Sequence, residues 1–150
     1  MKKSTAGLLV GVGIGGILAY LFRGRLLGST FERPIVLKTK NGTCGIEDEP
    51  APVTLSRFRD DKLRWEISNP MTTGCEGRRE VCIGNWRLNG HPTDCPPVTN
   101  PQGLCRRVQA GGPAMHILAN IDRKAPYGDY TYDILIDGHV AVDPIVKLIL

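Results

Sequence analysis

The sequence predicts a mainly β protein, an antiparallel Greek-key β-sandwich that follows one N-terminal transmembrane helix. Residues 6–22 carry no charged side chain. Beyond residue 30, short runs alternate between apolar and polar residues, as half-buried strands do. The 150 residues include 18 glycines and 11 prolines, a composition that disfavours a helical bundle and favours a fold with many turns. We therefore divide the chain into an anchor over residues 1–28 and a β-sandwich over residues 29–150.

The uncharged run is long enough to cross a bilayer. It has 17 residues, and a spanning helix needs about 17–25. Lys2 and Lys3 precede it, and Arg23 and Arg25 follow it. A cleaved signal peptide is the alternative, but no small-x-small cleavage site follows the run. The sequence therefore favours an uncleaved anchor.

Three glycines recur at intervals of four in the predicted helix, at Gly7, Gly11 and Gly15. Residues at this spacing share one helix face, and small residues on a membrane helix let a second helix approach closely. The stripe predicts packing against another transmembrane helix.

Strands are predicted in order along the remaining chain, at 34–39, 53–56, 63–68, 114–121, 130–137 and 140–150. The clearest alternation is at 63–68, where Leu63, Trp65 and Ile67 share one face. Asp143–Pro144 interrupts the final strand. The apolar residues 145–150 predict either a last core strand or a docking segment.

Residues 70–113 are rich in proline and cysteine and predict an irregular insertion with strand pieces at 81–83 and 86–88. Trp and Arg are enriched at interface hot spots. We therefore take as interface candidates in this insertion Trp86, Arg87, Arg106 and Arg107.

Five cysteines indicate an oxidising compartment. The disulfide candidates are Cys75, Cys82, Cys95 and Cys105. Joining each cysteine to its nearest neighbour, Cys75 to Cys82 and Cys95 to Cys105, would close the shortest loops, although five cysteines leave other connectivities open. The positive-inside rule is balanced here. The cysteines therefore place the domain in the periplasm, behind a single span in a bacterial inner membrane.

The charge distribution argues against nucleic acid as a partner. Lys2, Lys3, Arg23 and Arg25 account for the formal charge of +4, so residues 30–150 are formally neutral. A phosphate-binding surface needs clustered excess Lys and Arg.

No motif predicts catalysis or metal binding. The three histidines lie far apart in the sequence and lack a recognisable orienting partner. Asp133 and Asp137 share a strand face, which the alternation predicts to be exposed to solvent. We expect neither an enzyme nor a cofactor.

Two segments carry a family resemblance. Residues 63–70, which read LRWEISNP, resemble the cupredoxin strand that holds a buried aromatic residue and ends in Asn. Residues 126–132, which read PYGDYTY, are similar to the Pro-Gly-x-Tyr-x-Tyr corner of cupredoxins, and residues 132–138 with Asp143–Pro144 to their C-terminal hairpin. The resemblance implies a cupredoxin- or immunoglobulin-like sandwich of the bacterial exported type. Cupredoxin copper ligands come mostly from the loop before the last strand, and residues 120–129 contain no Cys, His or Met, so the resemblance implies a copper-free domain.

These expectations favour a non-catalytic accessory or structural subunit of a larger membrane protein complex, with the lipid bilayer and that complex as partners. A photosynthetic or respiratory complex is one candidate host. Two alternatives stay open: a metal-binding or electron-transfer protein of the cupredoxin type, and a small enzyme or inhibitor secreted after signal cleavage.

Overall fold

The computed structural model describes residues 28–150, which form two β-sheets. The anchor and its glycine stripe (Gly7, Gly11 and Gly15) fall outside the described residues. Across residues 28–150, no helix combines the length and the apolar character that crossing a bilayer requires.

Eleven strands and one 3₁₀ turn make up the described chain. In chain order the elements are β1 Thr30–Lys40, β2 Thr43–Ile46, β3 Val53–Ser56, the 3₁₀ turn Arg57–Arg59, β4 Lys62–Ser68, β5 Arg78–Leu88, β6 His91–Pro92, β7 Cys105–Gln109, β8 Met115–Asn120, β9 Gly128–Ile136, β10 His139–Val142 and β11 Ile145–Ile149. The smaller sheet has the order β2-β1-β4-β8, and the larger has the order β3-β11-β9-β5-β6, with β10 also beside β9 and β7 also beside β5.

The sheets are mostly but not wholly antiparallel, which corrects the expected antiparallel sandwich. β1 runs parallel to β4, and β11 runs parallel to β3. Parallel neighbours cannot be joined by a tight hairpin and must be connected through a longer segment. Alternation within one strand carries no information about such a distant partner, so the sequence could not show it.

The core is formed by the inward faces of the two sheets. Leu63, Trp65 and Ile67 are fully buried, which confirms the face predicted for β4. In β11, Val146 and Leu148 are also buried, so the apolar C-terminal run is a core strand.

Residues 70–113 form part of the sandwich itself and not only an insertion. β5 is an 11-residue strand that pairs with β9 from Val81 to Leu88. Val81 and Ile83 point inward before a register shift between Gly84 and Arg87, and Trp86, which lies within the shift, also points inward. A bulge of this kind reverses the alternation, and the reversal hides one long strand from a period-two pattern.

The strands define two ends of the sandwich. At one end, which we call the proximal end, β1, β4 and β9 begin, and β3, β8 and β11 end. The opposite or distal end includes the turn between β1 and β2 and the turn between β9 and β10. The described chain therefore enters the domain at the proximal end.

Candidate functional site

The cysteines pair differently from the nearest-neighbour prediction, which is wrong. Cys44 is bonded to Cys75, and Cys82 is bonded to Cys105. Cys82 and Cys105 lie directly opposite each other on β5 and β7, so strand register and not sequence distance selects them. Cys95 is exposed and has no disulfide partner.

Trp86 lies in the core, although the sequence suggested an interface. Only 6% of its surface is exposed. Its ring packs against that of Tyr132, with the centroids 4.8 Å apart. Trp86 therefore contributes to packing between strands and is not available to a partner.

Arg87 pairs with a buried carboxylate. Its guanidinium donates to both oxygens of Asp133, over 2.8 and 3.1 Å, and Asn85 donates to the same carboxylate over 2.7 Å. Asp133 is 2% exposed, which corrects the expected solvent position. Burial alone would raise the pKa of Asp133, but the hydrogen bonds from Arg87 and Asn85 outweigh it, and the pKa lies below its usual value. Arg87 thus stabilises the strand pair β5–β9.

Arg106 and Arg107 are exposed on β7, an edge strand beside β5. Arg107 lies 3.5 Å from Glu80, and Arg106 donates to the carbonyl oxygen of Cys105. Surface pairs of this kind contribute little to stability. These two arginines remain accessible, unlike Trp86.

A cleft of about 470 Å³ opens at the distal end between β2 and β10. Within it, Arg79 donates to the Asp137 carboxylate over 2.9 Å and to the Gly74 carbonyl oxygen over 2.9 Å. Asp137 also accepts a hydrogen bond from the amide of Glu80. Burial would raise the pKa of Asp137, but the hydrogen bonds from the Glu80 amide and the Arg79 guanidinium outweigh this effect. The pKa of Asp137 therefore lies below its usual value. Arg79 and the Glu80 amide thus hold the turn between β9 and β10 in place through their bonds to Asp137.

The proximal end is organised by the buried carboxylate of Asp61. One oxygen accepts from the amide of Ser29 over 2.9 Å, and the other accepts from the amide of Ser56 over 2.8 Å and from Arg59 over 3.2 Å. Asp61 has no exposed surface. Because Ser29 precedes β1 and Ser56 ends β3, this one side chain joins the two sheets where the chain enters.

A patch of exposed apolar side chains surrounds this junction. Phe58 is 64% exposed, Leu150 is 69% exposed and Tyr127 is 38% exposed. The Arg57 guanidinium lies 3.9 Å from the ring centroid of Tyr127 and 5.5 Å from that of Phe58. The Ser56 hydroxyl donates to the carbonyl oxygen of Leu150 over 3.1 Å. We call Arg57, Phe58, Tyr127 and Leu150 the proximal patch.

The loop that carries Tyr127 is held by hydrogen bonds. The Tyr130 hydroxyl donates to the carbonyl oxygen of Pro126 over 2.7 Å, in the manner of a tyrosine corner. Arg57 donates to the carbonyl oxygen of Ala125 over 3.1 Å. The patch is therefore preorganised by the fold.

Sequence reasoning missed both the Asp61 junction and the proximal patch. Residues 59–62 had the composition of a polar turn, and an acidic residue in such a turn is ordinarily exposed. Two adjacent aspartates followed by a clear strand were the only local signal. The two backbone amides that bond to Asp61 lie 32 and 5 residues away, so only the tertiary fold brings them together.

Within residues 28–150, no group of three or more His, Cys, Asp or Glu side chains is arranged to hold a metal ion. No family model matches the chain, and no curated protein matches it. The proximal patch and the exposed β7 edge are the candidate interaction surfaces.

Proposed function

We propose that this protein is a non-catalytic accessory subunit of a larger membrane protein complex, anchored by one N-terminal helix, with its sandwich in the periplasm of a bacterium. The helix contributes the glycine stripe to the complex, and the sandwich contributes its exposed surfaces. A photosynthetic or respiratory assembly is a candidate host.

The observation that carries the proposal is the short connection between the uncharged N-terminal run and the β-sandwich. Residues 23–29 are all that separate the uncharged segment from β1. Ser29 is already fastened to the domain, because its amide donates to Asp61 and its carbonyl oxygen accepts from the Lys62 amide over 2.9 Å. A short linker that ends in residues hydrogen-bonded to the domain suits a subunit that must hold one position relative to the bilayer.

The two disulfides support the extracytoplasmic placement. They join Cys44 to Cys75 and Cys82 to Cys105. Disulfides of this kind persist in oxidising compartments and are rare where thiols are kept reduced. Together with the uncharged N-terminal run, they favour the periplasm.

We also propose that the sandwich is of the Greek-key, cupredoxin-like type. A Greek-key, cupredoxin-like sandwich is supported by the buried Trp65 in β4, by Asn69 directly after that strand and by the hydrogen bond from Tyr130 to Pro126. Other sandwiches share these features.

The test is to follow the intact chain in native membranes. After solubilisation in a mild detergent, we expect it to migrate on a native gel within a large assembly, and mass spectrometry of that band then identifies the host. Migration of the wild-type chain alone would contradict a stable subunit.

A set of glycine variants tests the helix interface. The double variant Gly11→Leu and Gly15→Leu should release the chain from the assembly, because the larger side chains would hold a neighbouring helix away. Gly13→Leu is the matched control: two residues along a helix turn the side chain by about 200°, away from the stripe. Equal co-migration of both variants would exclude this helix face as the interface.

A further inference from the structure

We propose that the proximal end of the sandwich rests on the bilayer, with Phe58, Tyr127 and Leu150 in the lipid headgroup region. The inference rests on the proposed membrane anchor and goes beyond it by assigning the face of the domain that meets lipid. The anchor alone would also permit the domain to stand clear of the membrane.

The path of the chain brings this end close to the bilayer. Gly28 packs directly against the backbone of Arg59 and Asp60. Six residues lead from Phe22, the last of the uncharged run, to Gly28, and an extended chain covers at most about 20 Å over six residues. Phe58, a member of the proximal patch, directly precedes Arg59, so the patch lies beside the point where the chain enters the domain.

The patch has the exposed apolar surface that contact with lipid requires. Single exposed apolar residues are ordinary, but contiguous ones mark contact sites. The members of this patch are linked, because Arg57 lies over both aromatic rings and Ser56 bonds to the backbone of Leu150. A shallow, mainly apolar groove continues the patch between Tyr127 and Leu150.

The chemistry of the patch suits the headgroup region. Aromatic side chains concentrate at membrane–water interfaces, and arginine keeps its stem in apolar surroundings while its charged group reaches water or phosphate. Arg57 is held in place by the Ala125 carbonyl oxygen and by the two rings, so its charged group lies beside the apolar side chains of the patch.

Charge around the patch is mixed and not strongly basic. Asp60 pairs with Arg123, and Asp61 pairs with Arg59. With much of the charge compensated in this way, apolar contact and not long-range attraction should hold the patch at the membrane. We therefore expect the contact to persist in 0.5 M NaCl, a concentration at which exposed charges more than a few ångströms apart are screened.

The experiment measures depth in lipid with the full chain. In a Cys95→Ser background, which leaves both disulfides intact, a single cysteine is introduced at Lys124 near the proximal patch or at Lys40 at the distal end of β1. Each is labelled with the environment-sensitive dye NBD. The chain is reconstituted at less than one copy per vesicle of phosphatidylethanolamine and phosphatidylglycerol, with or without nitroxide-labelled lipid.

Lipid should quench the label at position 124 and leave the label at position 40 unaffected. β1 runs from Thr30 at the proximal end to Lys40, so the control label lies up to about 33 Å from that end. Adding Phe58→Ser and Tyr127→Ser should reduce the quenching at position 124. Val140→Ser is the matched control, because Val140 is 58% exposed but lies on β10, away from the patch.

The outcomes separate the two proposals. Failure of the chain to float with the vesicles would overturn the anchor and this inference together. Flotation with equally weak quenching at both positions would leave the anchor and overturn the inference. A blue-shifted emission at position 124 without lipid quenching would mean that protein covers this end, which also overturns it.

Discussion

The indole nitrogen of Trp65 donates a hydrogen bond of 3.0 Å to the hydroxyl of Tyr132 in the middle of the core. Trp65 belongs to β4 of the smaller sheet and Tyr132 to β9 of the larger, so the bond joins the two sheets. Both residues are almost completely buried, and the ring of Trp86 also packs against that of Tyr132.

Tyr132→Phe should destabilise the fold by about 1–3 kcal/mol, because it leaves the Trp65 N–H buried without an acceptor. Urea unfolding followed by tryptophan fluorescence measures the change. Trp65→Phe and the double variant complete a thermodynamic cycle, and strict additivity would show that the bond contributes nothing to stability.

The same substitution should alter the alkaline limb of the stability profile. Burial raises the pKa of Tyr132 to about 12, although the bond from Trp65 lowers it in part. A pKa raised by folding gives stability that is fully present below the unfolded value of about 10 and is lost as the pH rises through the folded value. The difference between wild type and Tyr132→Phe should therefore narrow from pH 10 to pH 12, and a constant difference would contradict this account.

Asp61→Asn should loosen the proximal end. The amide replaces one acceptor oxygen with a donor, so either Ser29 or Ser56 loses its buried partner, at a cost of about 2 kcal/mol. Hydrogen exchange at these two amides and urea unfolding measure the effect. Asp60→Asn is the matched control, since Asp60 is exposed and its left-handed backbone, with φ 54°, suits Asn. Equal losses in both variants would contradict the special role of Asp61.

Arg87→Ala should lower the thermal unfolding midpoint at pH 7, because it leaves the Asp133 carboxylate buried without its charged partner. In the wild type the pKa of Asp133 is lowered, so its contribution is present above the unfolded pKa and is lost as the pH falls through the folded pKa. Without Arg87, burial raises the pKa of Asp133. As the pH falls, Asp133 in the variant becomes protonated, and the cost of burying an unpaired charge disappears.

The difference in stability between wild type and Arg87→Ala should therefore shrink as the pH is lowered from 7 to below 4. Thermal unfolding across this range measures it. Arg106→Ala serves as the control, because Arg106 is exposed and its guanidinium donates to the carbonyl oxygen of its neighbour, Cys105. A gap independent of pH would show that Arg87 acts only through packing.

The disulfides should appear as Cys44–Cys75 and Cys82–Cys105 in peptide maps of the unreduced protein, with Cys95 alkylated in the folded state. The cysteine separations are 31 and 23 residues. Replacing either pair by Ala should cost about 3.5 kcal/mol, because the unfolded chain regains the entropy of an open loop. Cys95→Ser should leave the unfolding free energy nearly unchanged, and a crosslink to Cys95 would contradict the assignment.

Among the site residues, sequence patterns did not separate exposed side chains from buried ones. Arg106 and Arg107 are exposed, but Trp86 is buried, because a tryptophan in an irregular-looking segment gives no sign that a bulge turns it inward. Asp133 looked like a solvent-side residue, since nothing local indicates the arginine that compensates its burial.

The sequence by itself determined that this is a β protein and where its regular strands lie, because alternation with period two is a local property of β4, β8 and β9. It also determined the break at Asp143–Pro144, which separates β10 from β11. Only the tertiary structure decided the parallel pairings, the cysteine connectivity, the junction at Asp61 and the proximal patch. Each of these joins residues from separate elements, and their proximity results from sheet register and packing, which no single segment encodes.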